Sequence, residues 1–350
     1  MFARFQALVL SFVAVLFVAL SSSAAFADAP ADFFFDVSLR GTGAATIHAS
    51  IFRNPQANRG VVTILAVHGF TERGSMFAPL ASAIYADPAL GSAVKRIVAI
   101  DLVAHGDSSP PTLPSPLKFS DLTIEDNISV VIQSIDKLRA ASMGPQVIMG
   151  HSMGGLAVQG VQEALLAGGS SLAKHGVFGA ILISAVPNAG SVWTQSPPPD
   201  ITPFVVNDPV LGLILDLPAA AGVATGAFTT LAGTIVPNAP SVATFVANDW
   251  IAPEPITTVF ELTGVNPPTR PFVRQKAFAV EKGTLLTVLS FSQDVLAPAV
   301  DQDDLYTYLT GLPSTGITLY RPIVTADAVH SMYISNPTGL IAALKNGVIH

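Results

Sequence analysis

The 350 residues are 50% hydrophobic and only 12% charged, the balance of a core-rich globular chain and not of a disordered one. A formal net charge of −7 argues against nucleic acid as a partner. With no cysteine, the chain has no disulfides, thiolate catalysis, Fe–S cluster or Cys-ligated zinc, and its stability rests on its core.

Met1 to Ala27 reads as a secretory signal peptide. Arg4 gives a small positive start, Leu8 to Leu20 is an apolar stretch too short for a comfortable membrane span, and Ala25-Phe26-Ala27 is a small-residue cleavage signal. Cleavage after Ala27 leaves 350 − 27 = 323 residues in a secreted or periplasmic protein.

Two strands are predicted next, Phe33 to Val37 and Thr46 to Ile51, with Gly41 and Gly43 between them suiting a hairpin. Val61 to Val67 is a continuous apolar run, as in a strand buried on both faces. It ends in His68-Gly69-Phe70, and Met76 to Tyr85 reads as a helix. Arg96 to Ile100 is the next strand, running into the loop Asp101 to Ser108. Thr123-Ile124-Glu125-Asp126 has the form of a capping box, opening a helix to about Ala140. A strand at Phe178 to Ser184 follows, and then the alternation stops. It resumes with the strand Leu285 to Ser290, a helix from Asp303 to Leu309, the strand Ile317 to Pro322 and a helix from Pro337 to Lys345. Alternating strands and helices imply a mostly parallel sheet covered by helices on both faces.

Between these elements stands Val147-Ile148-Met149-Gly150-His151-Ser152-Met153-Gly154-Gly155-Leu156. It reads as a short strand, a tight turn carrying one serine, and the start of a helix. Gly150-x-Ser152-x-Gly154 in that context is a nucleophile elbow, formed by Gly150, His151 and Gly154 around the serine. A serine projecting above the sheet on so sharp a turn leaves no room for side chains two residues away on either side. The following helix also points its N-terminus at any negative charge that develops there.

With His68-Gly69-Phe70, Asp101 to Ser108, Ser290 to Asp294 and Ala328-Val329-His330, this elbow makes the chain resemble the α/β-hydrolase superfamily, in its cap-bearing serine esterase and lipase-like branch. The resemblance runs from about Val61 to the C-terminus. It implies a triad in the order Ser, acid, His. Ser152 stands as the nucleophile, Asp294 as the acid and His330 as the base. Asp301, Asp303 and Asp304 remain rivals for the acid, although they suit the first turn of a helix. The oxyanion hole is expected from the backbone N–H groups of Phe70 and Met153. Two positions depart from the family pattern: Ala104 replaces a usual glycine, and Ser290 and Ser292 stand near where glycine is common. No cofactor and no metal is implied.

The resemblance also implies domain limits: a core of residues 28–190 and 275–350, and a cap or lid at residues 191–274, inserted after strand 6. That block contains no lysine and only two arginines, Arg270 and Arg274. Leu217 to Val236 is free of charge but broken by Pro218 and three glycines, which favours cap helices or loops over a membrane span. Such a segment allows peripheral contact with a lipid interface. The expected activity is cleavage of a small carboxylic ester, uncharged and hydrophobic. A lactone, amide or C–C bond as target, and a catalytically silent binding module on the same fold, are the alternatives. No motif encodes the exact substrate or the oligomeric state.

Overall fold

The computed structural model describes residues 30–56, 60–186, 205–216, 252–263, 284–294, 297, 299, 302–303, 305–307, 318–320, 323–324, 330 and 336–348. The expected signal peptide and the stretch Leu217 to Val236 lie outside the described residues, as do residues 264–283.

Strands β1 (Ala31–Ser38) and β2 (Ala44–Arg53) form an antiparallel hairpin whose turn includes Gly41 at φ +66°. Strands β3 (Val62–Val67), β4 (Val94–Ile100), β5 (Val147–His151) and β6 (Gly179–Ile183) follow. Among the described residues the inserted segment contributes β7 (Val205–Asp208), β8 (Gly212–Leu215) and β9 (Glu254–Pro255). Strands β10 (Leu285–Phe291), β11 (Thr318–Tyr320) and β12 (Ile323–Val324) complete the set. The main sheet has the order β1-β2-β4-β3-β5-β6-β10-β11, with β12 also pairing with β10. From β4 through to β11 every pairing is parallel, and β1 and β2 are the antiparallel edge.

The continuous apolar runs are explained by two-sided burial. In β3, Leu65 and Val67 enter one core cluster while Ile64 and Ala66 enter the other. In β5, Ile148 joins the first cluster, and Val147 and Met149 join the second. Helices α1 (Ala78–Ala86) and α2 (Pro88–Ala93) cover the second face together with a C-terminal helix, Pro337–Val348. Helices α3 (Ile124–Ala140) and α4 (Met153–Ala167) cover the first. Burying each large aliphatic side chain contributes roughly 1.5–3 kcal/mol, so this two-layer filling is the main source of stability.

Local chemistry sets several helix starts. Thr123 caps α3, and Asp126 returns its carboxylate to the Thr123 N–H at 2.8 Å. Asp87 caps α2, accepting from the N–H groups of Ala89 and Leu90 at 3.0 Å each. The helix predicted from Met76 begins instead as a 3-10 turn, Gly74–Phe77, and becomes α-helical at Ala78.

In the inserted segment β7 and β8 form a hairpin that was not predicted, and β9 adds to it antiparallel. Asp208 closes the hairpin turn by accepting from Val210 and Leu211 N–H at 2.7 Å each. Helix α5 (Ile256–Thr263) follows β9 directly. This segment sits on the loops that leave β3 and β4: Ser120 N–H donates to Leu211 O, Thr257 Oγ1 donates to Ser120 O, and Ala252 N–H donates to Thr71 O. The C-terminal helix, α6 (Pro337–Val348), closes the second face. Of the helix expected from Asp303 to Leu309, Asp303 and Leu305 to Thr307 are described and helical.

Candidate active site

The site is built at the C-terminal ends of β3, β5, β6 and β10. Ser152 joins β5 to α4 with φ 50° and ψ −118°, a backbone conformation that non-glycine residues rarely adopt. Close packing enforces it. A Cβ on Gly150 would lie 2.3 Å from the carbonyl oxygen of Gly154. One on Gly154 would lie 2.3 Å and 2.4 Å from the carbonyl oxygens of His68 and Val67. The elbow is therefore pressed against the end of β3, and its glycines are steric requirements.

His330 and Asp294 come together as the sequence implied, although 36 residues separate them. His330 Nδ1 meets Asp294 Oδ2 at 2.9 Å. Asp294 Oδ1 accepts from Ala297 N–H at 2.9 Å, and its Oδ2 also accepts from the Ser184 hydroxyl. Both triad candidates are buried. Burial opposes charge on Asp294, but His330, by charge and by hydrogen bond, outweighs it and the carboxyl lies below its ordinary range. Burial likewise opposes the imidazolium of His330, yet Asp294, with a smaller contribution from Glu72, raises its pKa above the ordinary value. Asp294 meets the histidine; of its rivals, Asp303 lies half-buried in its helix, and Asp301 and Asp304 lie outside the described residues.

His330 is packed against the elbow through His151. The two rings are 4.7 Å apart between centroids, and His151 Nε2 meets the carbonyl oxygen of His330 at 2.9 Å. The other nitrogen, Nδ1, meets Glu72 Oε2 at 2.9 Å. No hydrogen bond joins Ser152 Oγ to His330 among the described residues, and such links commonly tighten only around a bound substrate.

The loop after β3 faces the serine closely: a Cβ on Gly69 would lie 3.0 Å from Ser152 Cβ. Within that loop Gly69 N–H donates to Glu72 Oε2 at 2.6 Å, and Thr71 N–H donates to Glu254 Oε2 at 2.8 Å. Among the described residues the N–H groups of Phe70 and Met153 meet no acceptor, whereas those of Gly69, Thr71 and Ser152 do. That is the arrangement an oxyanion hole requires. Burial opposes the ionised form of Glu72, but His151 and the Gly69 N–H outweigh it and bring its pKa to about 2. His68 is held neutral: burial and the nearby His105 lower its pKa to about 4. Its Nδ1 donates to Gly69 O at 2.8 Å and its Nε2 accepts from Leu102 N–H at 3.0 Å.

The loop after β4 carries Ala104 at φ +59°, which explains why glycine is usual there. Asp101 latches three segments, accepting from Gly74 N–H at 2.7 Å and Asp107 N–H at 3.1 Å and meeting His48 Nδ1 at 2.7 Å. His48, Asp101 and Asp107 form the one cluster among the described residues with metal-like spacing. Asp101 is already committed to these hydrogen bonds. A cleft of about 310 Å³ lined by Lys95, Arg96 and Gln146 opens at the other end of the sheet, where β4 and β5 begin, and is separate from the site.

Sequence reading missed three residues of this constellation: Glu72, Ser184 and Glu254. Glu72 could have been noticed as an acid two residues after Phe70. Ser184 directly follows β6 at φ +43°, without a motif. Glu254 lies 183 residues from Thr71, with no local signal.

The comparisons with known proteins agree with this architecture. The profile of the alpha/beta hydrolase family matches residues 64–343. The chain belongs to the alpha/beta hydrolase family. No curated protein matches it. Among solved structures it is similar to a probable hydrolytic enzyme from Pseudomonas aeruginosa, at 16% identity and TM-score 0.56, covering 93% of this chain and 96% of that one. It is also similar to the N-acyl homoserine lactonase AidH, at 14% identity and TM-score 0.54, covering 91% and 98%. The thioesterase domain from the curacin biosynthetic pathway is a third, at 16% identity and TM-score 0.52, covering 90% and 98%. At these identities the likeness is one of fold.

Proposed function

We propose that the protein is an exported serine hydrolase that cleaves carboxylic esters of uncharged, hydrophobic substrates. The carrying observation is the strained serine at the β5–α4 turn, with the buried Asp294–His330 pair packed against its neighbour His151. In this reading Ser152 Oγ attacks the ester carbonyl while His330 Nε2 takes its proton. Asp294 holds the imidazole through Nδ1 and stabilises its cation. The N–H groups of Phe70 and Met153 bind the oxyanion. His330 then protonates the leaving alcohol, and a water that it activates hydrolyses the acyl-enzyme.

The hydrophobic preference rests on composition. Residues 191–274 hold no lysine and two arginines, so this segment has few partners for a buried anionic group. It can instead remove apolar surface from water, at about 0.8 kcal/mol per methylene. Export rests on the N-terminal 27 residues and predicts a mature chain beginning at Asp28. Among the described residues no helix is long and apolar enough to cross a membrane.

The deciding experiment treats wild type and Ser152→Ala with a fluorophosphonate probe, then with a panel of esters, lactones and amides. Labelling at Ser152 together with turnover of uncharged p-nitrophenyl esters, increasing from acetyl to hexanoyl, supports the reading. Turnover of lactones or amides in preference to esters moves the substrate class. Folded wild-type protein that takes no label ends the reading.

A further inference from the structure

We infer that Glu254, carried by the inserted segment, is a positioning residue for the oxyanion loop, so that this segment completes the candidate site. The inference rests on the serine-hydrolase reading above. Glu254 is fully buried, and its Oε2 accepts from Thr71 N–H at 2.8 Å and meets His105 Nε2 at 3.0 Å. Two residues earlier, Ala252 N–H donates to Thr71 O at 2.9 Å. The insertion therefore holds Thr71 by its N–H and by its C=O.

Thr71 needs holding. Its φ is +59°, the left-handed region that a β-branched residue avoids. Without its partners the residue relaxes toward negative φ, which turns the adjoining Phe70–Thr71 peptide. On the other side of Phe70 the Gly69 N–H is held by Glu72 at 2.6 Å. Two carboxylates thus fix the amides flanking that of Phe70. The Phe70 N–H, between them, is left for the substrate oxygen.

His105 ties the arrangement to the loop after β4. Its Nε2 meets Glu254, and its Nδ1 faces Val103 O at 2.9 Å, so both nitrogens lie against acceptors. The charge of Glu254 outweighs burial enough to raise the His105 pKa above its ordinary value. The ring also packs on neutral His68 at 4.8 Å, at the root of the same oxyanion loop.

The test compares Glu254→Ala, Glu254→Gln and Glu254→Asp in the full chain. Misplacing an oxyanion donor costs about 10²-fold. Glu254→Ala is expected to lower kcat by about that factor with KM within about threefold. Its affinity for a trifluoromethyl ketone, which forms a tetrahedral adduct, should fall by a similar factor. Glu254→Gln keeps an acceptor for both donors and should return kcat to within about threefold of wild type. Glu254→Asp, should the alanine variant not fold, retains the carboxylate but shortens its reach and should fall between. Hydrogen exchange of the peptide containing Thr71 should quicken in Glu254→Ala and Glu254→Asp but not in Glu254→Gln. Unchanged kcat and unchanged exchange in the alanine or aspartate variant overturn the inference. A lowered Tm with wild-type kcat in the folded protein overturns it as well. If wild type takes no fluorophosphonate label, the hydrolase reading fails separately, and exchange at Thr71 still decides whether Glu254 holds the loop.

Discussion

Ser152 and Thr71 lie in two loops that pack together at the candidate site, the β5–α4 elbow and the loop after β3, both in left-handed backbone, at φ +50° and +59°. They are kept there by different means. Ser152 is strained by its immediate surroundings: Gly150 and Gly154 let α4 press onto the ends of β5 and β3 until no other turn fits. Thr71 is strained by remote partners, the Glu254 carboxylate and the Ala252 N–H of an inserted segment. The first device is steric, local and available as soon as the sheet forms. The second is electrostatic and appears only when the insertion has docked. Under the proposed mechanism, the nucleophile wall would be permanent and the oxyanion wall would depend on a second element.

Variants can break each wall separately. The largest effect is expected from Ser152→Ala, which should lower kcat by roughly 10⁴–10⁶ with the fold intact. Near-wild-type turnover would remove the nucleophile wall from the account. Next is Asp294→Asn, expected to cost roughly 10⁴ in kcat by favouring the wrong imidazole tautomer. The pH profile sharpens that test. In the proposed mechanism neutral His330 is the base, and Asp294 raises its pKa, so the wild-type kcat/KM limb should lie above the ordinary imidazole value near 6.5. Asp294→Asn removes the largest raising partner, so its residual activity should rise at lower pH than wild type. A limb that does not move would show that the two groups are uncoupled.

Gly154→Ala tests the steric device. Its Cβ would meet the backbone oxygens of Val67 and His68 at 2.4 Å and 2.3 Å, so β3 and α4 must separate. We expect a loss of about 1–3 kcal/mol in stability and about 10²-fold in kcat, because both candidate oxyanion donors ride on the displaced elements. Wild-type Tm and kcat would mean that the elbow has room to spare.

The smallest expected effect concerns docking of the insertion. Glu261 on α5 accepts from Ile124 N–H at 2.8 Å, at the start of α3. Burial, opposed by that N–H and aided by Glu125 and Asp126, raises its pKa to about 7 from the usual 4.5. The folded pKa is raised, so the stabilising protonated form is fully present below pH 4.5 and is lost as pH rises through about 7. Glu261→Gln should therefore raise Tm over wild type at pH 8.5 and make little difference at pH 4.5. The opposite pH dependence would contradict the buried-acid account of this contact.

Much of the fold was legible because local rules agreed. The β3 and β5 runs are continuous because both faces of the sheet are covered, and the capping residues of α3 announced its start. The β7–β8 hairpin escaped because its strands are four residues each and lie among prolines, where periodicity has nothing to act on. Helix α2 escaped because it is six residues long and is defined by the Asp87 cap, not by an apolar stripe.

For the site, sequence alone showed what short-range sterics requires, the glycines of the elbow at Gly150 to Gly154, and the family resemblance implied the order Ser152, Asp294, His330. The meeting of Asp294 with His330 was implied by resemblance, and the parallel pairing of β10 with β12 brings the segments that follow these strands to the same end of the sheet. Ser184 on Asp294, Glu72 on Gly69 and His151, and Glu254 on Thr71 and His105 were decided by tertiary structure. The physical reason is that a hydrogen bond between buried groups carries no mark in the chain around either partner. An isolated glutamate at position 254 reads as surface charge until folding buries it beside an unsatisfied amide and an imidazole.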